Sequence, residues 1–463
     1  MLCEKNIEEG GFKMAKNTHG NAEKNFDAKQ IVIAIILLAL LGGFGISAYN
    51  SDVMLGMFLV TGLIFGYLLT RARFGFAGGV KEPYMTGDSS LATALFFIFA
   101  VTIIATAGVH WGTMVLDGAS VADVAIQGGA HPAPGSNAVK PLNLAVIIGG
   151  FIFGIGMIMA GGCASGTLAD LGEGAVRSAI ALFFFAIGAV IGRAARYYFD
   201  KSSLADFSTT VYLPEYLGYL GAVLLSILFL LVLYVIAKKY ESMRKKDGSY
   251  HEIEYSPDQR SLEESEDFDL FSYETYHKFF VERWDYITGG LLIAVMFIFV
   301  MNTTGTDWGI TGAYTYWGVA ILQKLGMSFA NSPIYSGIAE TVNNGLLNHA
   351  GTLRNLGIIF GSALCLLLAS KFKFDYEFSF YDAAMFAIGG LFMGFGARFA
   401  KGCNIGALYA AISSFSLHGW VFLIALSLGG ITGLKYFEGK LNIVPDRGLD
   451  VSSQSDEGQS VSN

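Results

Sequence analysis

Ten times along this chain a run of roughly 16 to 20 residues passes almost without charge, the length needed to cross the hydrocarbon core of a bilayer. The runs lie near 31–49, 54–70, 91–110, 142–160, 178–198, 217–237, 287–302, 355–370, 383–400 and 420–437. Only 15% of residues are charged against 53% hydrophobic, and the charges gather at run edges, in residues 238–285 and at the termini. A water-soluble surface cannot be built from such a pattern, so the expected class is an all-α polytopic membrane protein of about 9–10 transmembrane helices. The first run, "IVIAIILLALLGGFGISAY", is too long for a signal-peptide core and lacks an A-x-A exit, and is expected as a retained span. Four glycine-broken apolar pieces, 111–130, 161–176, 306–330 and 333–350, are too short to cross. They are expected as short re-entrant helices, because irregular backbone at membrane depth must be buried in protein or line a wet cavity.

Lys and Arg set the orientation. The clusters at 238–246, 71–73 and 371–373 fall on one side if both termini are cytoplasmic, whereas Arg193 and Arg196 fall on the other. The division expected is a polar N-terminal tail (1–30), a first membrane repeat (31–240), an acidic cytoplasmic linker (241–284), a second repeat (285–440) and a polar C-terminal tail (441–463). The cysteines Cys3, Cys163, Cys365 and Cys403 form no CxxC pair, which argues against a disulfide framework or a zinc site. No GxxxxGK[ST] loop is present, so ATP is not the expected energy source. No metal, cofactor or nucleic-acid partner is expected; lipid surrounds the chain.

The repeat rests on two stretches. Residues 149–168, "GGFIFGIGMIMAGGCASGTL", align without gaps on 389–408, "GGLFMGFGARFAKGCNIGAL", and nine of twenty positions are identical. About two or three identities would arise by chance in so glycine-rich a chain, so a duplicated unit is the better account. A weaker echo pairs "VHWGTM" with "NHAGTL", matching His110 to His349. Five spans separate Cys163 from Cys403, so the halves are expected to be antiparallel, as in transporters whose site lies at the interface of inverted repeats.

Each repeated cysteine follows a glycine break and opens a short helix, where unpaired N–H groups and the helix dipole favour an anion. A neutral thiol in apolar surroundings gives such an anion a weak hydrogen bond without trapping it, as passage through successive sites requires. Packing alone would accept Ala or Ser, so recurrence of cysteine favours contact with cargo over mere smallness. Cys365 has no counterpart and no glycine break and is expected in the core; Cys3 is in a polar tail.

The paired "GGCASG" and "KGCNIGA" units, with "RARFGFAGG" at 71–79 and "TDWGITGAYTYWG" at 306–318, resemble the YeeE/YedE sulfur-transport family over about residues 50–437. The resemblance implies an hourglass-like fold with cysteines lining its constriction, a role that carries over to Cys163 and Cys403. It also implies a thiosulfate permease of the cell membrane, acting on a small sulfur-containing anion, with a cytoplasmic sulfurtransferase or sulfur-carrier protein as partner. One departure stands out: Gly75 occupies the place where many members have a third cysteine.

The expected substrate path therefore comprises Cys163, Cys403, the flanking Gly162, Gly166, Gly402 and Gly406, and Asn404. Lys401, with Arg398 nearby, is an anion attractor or a snorkelling side chain. Asn344 and His349, in "ETVNNGLLNHAG", offer donors that replace an anion's hydration or cap a helix. His110, beside Trp111, suits an interfacial pair. The expected function is import of a small sulfur-containing anion without enzymatic turnover. The alternatives are transport of another sulfur or selenium species, or a membrane thiol or sulfur-carrier redox protein built on the two cysteines.

Overall fold

The computed structural model describes residues 27–125, 131–253, 259–262 and 272–446. Cys3, most of both expected tails and parts of the linker lie outside the described residues. The chain begins with α1 (Ala28–Ser51), α2 (Val53–Arg71), α3 (Gly78–Met85), α4 (Ser90–Asp117) and α5 (Val121–Ala125). It continues through α6 (Leu144–Met159), α7 (Ala164–Gly172), α8 (Val176–Asp200), α9 (Leu213–Lys246) and the single turn α10 (Tyr273–Tyr276). The second half comprises α11 (Tyr286–Thr304), α12 (Thr311–Lys324), α13 (Ser336–Asn343), α14 (Ala350–Leu368), α15 (Phe380–Phe399), α16 (Ala410–Ser413) and α17 (Leu417–Phe437).

Among the described residues ten helical segments are long and apolar enough to cross a membrane, and each overlaps one of the ten runs expected from sequence, with the runs 142–160 and 355–370 extending two residues beyond their segments. The chain is a multi-pass membrane protein. Its helices begin where polar side chains can cap them: Asp27, Asp52 and Asp285 each accept a first-turn N–H, and Ser379 with Asp382 forms a capping box. α1 and α9 present apolar side chains outward, with Leu40 67% and Leu220 74% exposed, as lipid contact requires.

All four expected short pieces contain short helices, α5, α7, α12 and α13. The first of them begins differently: residues 111–117 are the last turns of α4, which ends at left-handed Gly118 (φ 62°), and only then does α5 follow. The His110 and His349 echo also falls apart structurally, because His110 lies near the end of α4 while His349 caps the start of α14. His110 is fully buried, bonding the Tyr212 hydroxyl at 2.8 Å and the Pro134 carbonyl at 3.0 Å, so it is not interfacial.

The centre of the molecule is the antiparallel pair α6 and α15. A Cβ on Gly396 would sit 2.5 Å from the Gly149 carbonyl oxygen, and a Cβ on Gly156 2.7 Å from the Gly389 carbonyl oxygen. Adding 240 to one contact and subtracting it from the other interchanges them. The flanking contacts behave alike: Gly154 of α6 meets the Leu426 carbonyl of α17, while Gly394 of α15 meets the Phe185 carbonyl of α8. Backbones this close admit no side chain, which explains why glycine persists along both stretches.

Candidate functional site: two vestibules and a cysteine at each break

Both central helices stop in the same way. Residue 161 after α6 and residue 401 after α15 are left-handed, with φ of 82° and 63°, and the next residues are Gly162-Cys163 and Gly402-Cys403. The first turn-maker is a glycine, but the second is Lys401, a residue that pays steric strain there. Each cysteine then takes the N-cap position without a capping bond from its side chain. Cys163 opens α7, its sulfur 3.3 Å from the Ser165 hydroxyl. Cys403 opens a π-helical turn, Asn404–Tyr409, and the Ile405 and Gly406 amides face its sulfur. Both cysteines are 1% exposed.

The two sulfurs lie close enough to interact electrostatically with each other, and buried Tyr314 of α12 interacts with both. The Tyr314 hydroxyl donates to the Ala164 carbonyl at 2.9 Å, immediately after Cys163. Asn404 reaches back to α6, its Nδ2 3.5 Å from the Met157 sulfur. One thiol from each half and a phenol thus share a single buried zone.

Two cavities approach this zone from opposite ends of the α6 and α15 pair. The first, about 410 Å³, lies at the end of α6 and is lined by Cys163, Gly162, Gly166 and Gly75 with Arg73, Lys81, Glu82, Asp170, His251 and Asp446. Gly166 leaves the sulfur uncovered, since a Cβ there would stand 3.8 Å from it. Residues 438–446 after α17 fold across this mouth as a strap. Lys81 donates to the Ile443 carbonyl at 2.8 Å, Tyr84 donates to Glu438 at 3.0 Å, and Val444 is fully buried.

The second cavity, about 490 Å³, lies at the end of α15 and carries Lys140, Arg193, Arg196, Arg398 and Lys401 against one acidic lining residue, Asp200. Lys140 forms its floor: Nζ donates to the Gly406 carbonyl at 2.6 Å and stands 4.0 Å from Asp307. Burial pushes this ammonium below its ordinary range, with Asp307 opposing the shift. Asp307 is itself fixed by Asn137 at 2.6 Å.

The structure gathers Cys163, Cys403, Asn404 and the four flanking glycines, and places Lys401 on the rim of the second cavity. It does not bring Asn344 or His349 to that place. Asn344 is exposed at the end of α13, and His349 stacks on Tyr316 at 3.9 Å while bonding Thr352. Sequence reasoning missed Tyr314, Lys140 and Asp307, which meet the cysteine loops only through folding. Gly402 is not interchangeable with Gly162: a Cβ would fall 2.5 Å from the Ala407 nitrogen at the former but 3.7 Å from its neighbours at the latter.

Comparison with known families decides the class. The profile of the family described as sulphur transport matches residues 71–432, which covers these elements except α1, most of α2 and the last turn of α17. The chain belongs to the sulphur transport family. It is 26% identical over 378 residues to thiosulfate transporter TsuA of Escherichia coli K12, spanning 80% of this chain and 91% of that protein. TsuA of Spirochaeta thermophila is 26% identical over 384 residues, 81% and 96% of the two chains. A probable transporter, YedE of Escherichia coli K12, is 32% identical over 160 residues, 35% and 39% of the two chains. Membership in this family makes the protein a transporter in the sulfur class, not an enzyme.

Proposed function

We propose that this transporter imports thiosulfate across the cell membrane along a path that runs from the cationic cavity past Cys403, Tyr314 and Cys163 to the strap-covered vestibule. The observation that carries this reading is the contrast between the two mouths. The lining of one offers five basic groups to one acidic; that of the other offers Arg73 and Lys81 against Glu82, Asp170 and Asp446. A dilute anion is captured by the first and released readily from the second. The vestibule holding Cys163 shares its face with Arg71, Arg73 and the Lys238 to Lys246 cluster, which supports a cytoplasmic assignment for that mouth and for both termini. Arg193 and Arg196 then depart from the charge rule because they serve the outer mouth.

The exchange of glycine contacts under a shift of 240 residues supports two inverted repeats, 31–240 and 285–440, meeting at an hourglass waist. At the waist the thiols act as neutral donors, each holding the anion weakly enough to pass it on. The two TsuA relatives are thiosulfate transporters, which supports thiosulfate as cargo. Gly75 favours a second reading, another sulfur or selenium species, because no third thiol is present in the Cys163 vestibule. A cytoplasmic sulfurtransferase or sulfur carrier receiving the anion at the strap completes the proposal.

The test is uptake of labelled thiosulfate by proteoliposomes containing the wild type or Ala and Ser variants at Cys163 and Cys403. Each Ala variant should lose at least tenfold in rate while folding normally. Full uptake by a Cys163→Ala, Cys403→Ala double variant would overturn the relay. Uptake of sulfite or a selenium analogue in preference to thiosulfate would move the assignment to the second reading.

A further inference from the structure

The transport path leaves one carboxyl unexplained. Glu82 of α3 lines the same vestibule as Cys163, and its Oε2 atom is buried with no hydrogen-bond partner among the described residues. The neighbouring acids are differently placed: Asp170 is 3.1 Å from Arg177, and Glu173 is paired with Arg73. An ion pair keeps a carboxylate charged, and Glu82 forms none among the described residues. The groups that face it come from every surrounding element. Lys81 precedes it on α3 and is turned to the Ile443 carbonyl of the strap; Asp88 lies just before α4; Arg283 and the Tyr286 hydroxyl, which bonds it, come from the start of α11. His251 and Asp446 complete the wall. Burial, reinforced by the charge of Asp88, raises the Glu82 carboxyl to about 7, so it exchanges its proton near neutrality.

The consequence follows from charge. Cys163 and the open first-turn amides of α7 suit an anion, but an ionised Glu82 in the same partly buried cavity repels it. We propose that this vestibule is a proton-linked anion site: the anion rests beside Cys163 only while Glu82 is protonated, and ionisation of Glu82 expels it through the strap. The proposal rests on the transport reading above and adds the device that empties the last site. By linkage, binding of the anion takes up a proton, and above the carboxyl's midpoint affinity falls by up to about tenfold per pH unit.

Calorimetric titration of the purified protein with thiosulfate at pH 6, 7 and 8, in buffers of different ionisation enthalpy, measures both quantities. Counterflow of labelled thiosulfate in proteoliposomes tests transport separately. In the wild type Kd should rise about tenfold between pH 6 and 8, about fivefold of it between pH 7 and 8, with proton uptake approaching one per anion at pH 8. Glu82→Gln should hold its pH 6 affinity throughout and take up no proton. A flat wild-type Kd, zero proton uptake at pH 8, or a Glu82→Gln variant that still weakens with pH overturns the linkage even when counterflow is intact. Absence of both binding and counterflow overturns the transport reading and the linkage together. The proton count is made on the unmodified protein, so the outcome does not depend on whether a variant folds.

Discussion

Gly75 departs from the family's pattern and Lys401 from the chain's own repeat, and each makes a separate prediction. A Cβ at Gly75 meets nothing within 4 Å, so Gly75→Cys should fold as the wild type does and set a second thiol beside Cys163. A membrane-impermeant maleimide should label that variant in inside-out vesicles and not in right-side-out ones; the reverse result would invert the assigned orientation. Lys401 holds a left-handed conformation that costs a side-chain-bearing residue about 1–2 kcal/mol. Lys401→Gly should therefore raise thermal stability by about 1 kcal/mol while raising KM for the anion, because the rim loses a cation. A variant that gained stability with KM unchanged would remove Lys401 from the capture site. Cys163, Cys403 and the four glycines were legible because the motif occurs twice. Tyr314 was not, since 150 residues separate it from the carbonyl it bonds and its surroundings in sequence are those of any packed aromatic.

At the level of elements, the breaks before Cys163 and Cys403 share a backbone path but not a tolerance. Gly402→Ala forces the new methyl into the Ala407 amide and should cost about 1–3 kcal/mol, seen as a lower melting temperature in detergent. Gly162→Ala has room and should melt near the wild type. Equal losses at both sites would mean that the two turns are under the same constraint. All ten spans could be read from hydropathy because lipid enforces the pattern residue by residue. The end of α4 could not: the stretch from 111 was expected as a broken piece, yet Gly112 faces no neighbour and the helix runs through it to Asp117. His349 and Asn344 misled for a related reason, since amides and imidazoles that cap helix ends have the same composition as a binding loop.

For the molecule as a whole, the difference in charge between its mouths is the property most open to measurement. The proposed capture by five cations is a field effect, screened over about 8 Å at physiological ionic strength. Raising the ionic strength outside should therefore increase KM several-fold with little change in maximal rate, and neutralising Lys140 and Lys401 together should flatten that dependence. A KM indifferent to salt in the wild type would deny the cavity a role in capture. The sequence showed Arg193 and Arg196 as exceptions to the orientation rule and Lys401 with Arg398 as an anion attractor, but not their meeting with Lys140, because α8, the end of α15 and the segment before α6 are assembled by folding alone. The strap at the opposite mouth has a practical consequence. Residues 438–446 are both the chain's approach to its C-terminus and the cover of the Cys163 vestibule, pinned by Lys81 at the Ile443 carbonyl. A purification handle or fluorescent reporter appended to the C-terminus hangs from that cover, so turnover should be compared between N-terminally and C-terminally tagged preparations before any rate is ascribed to the pore.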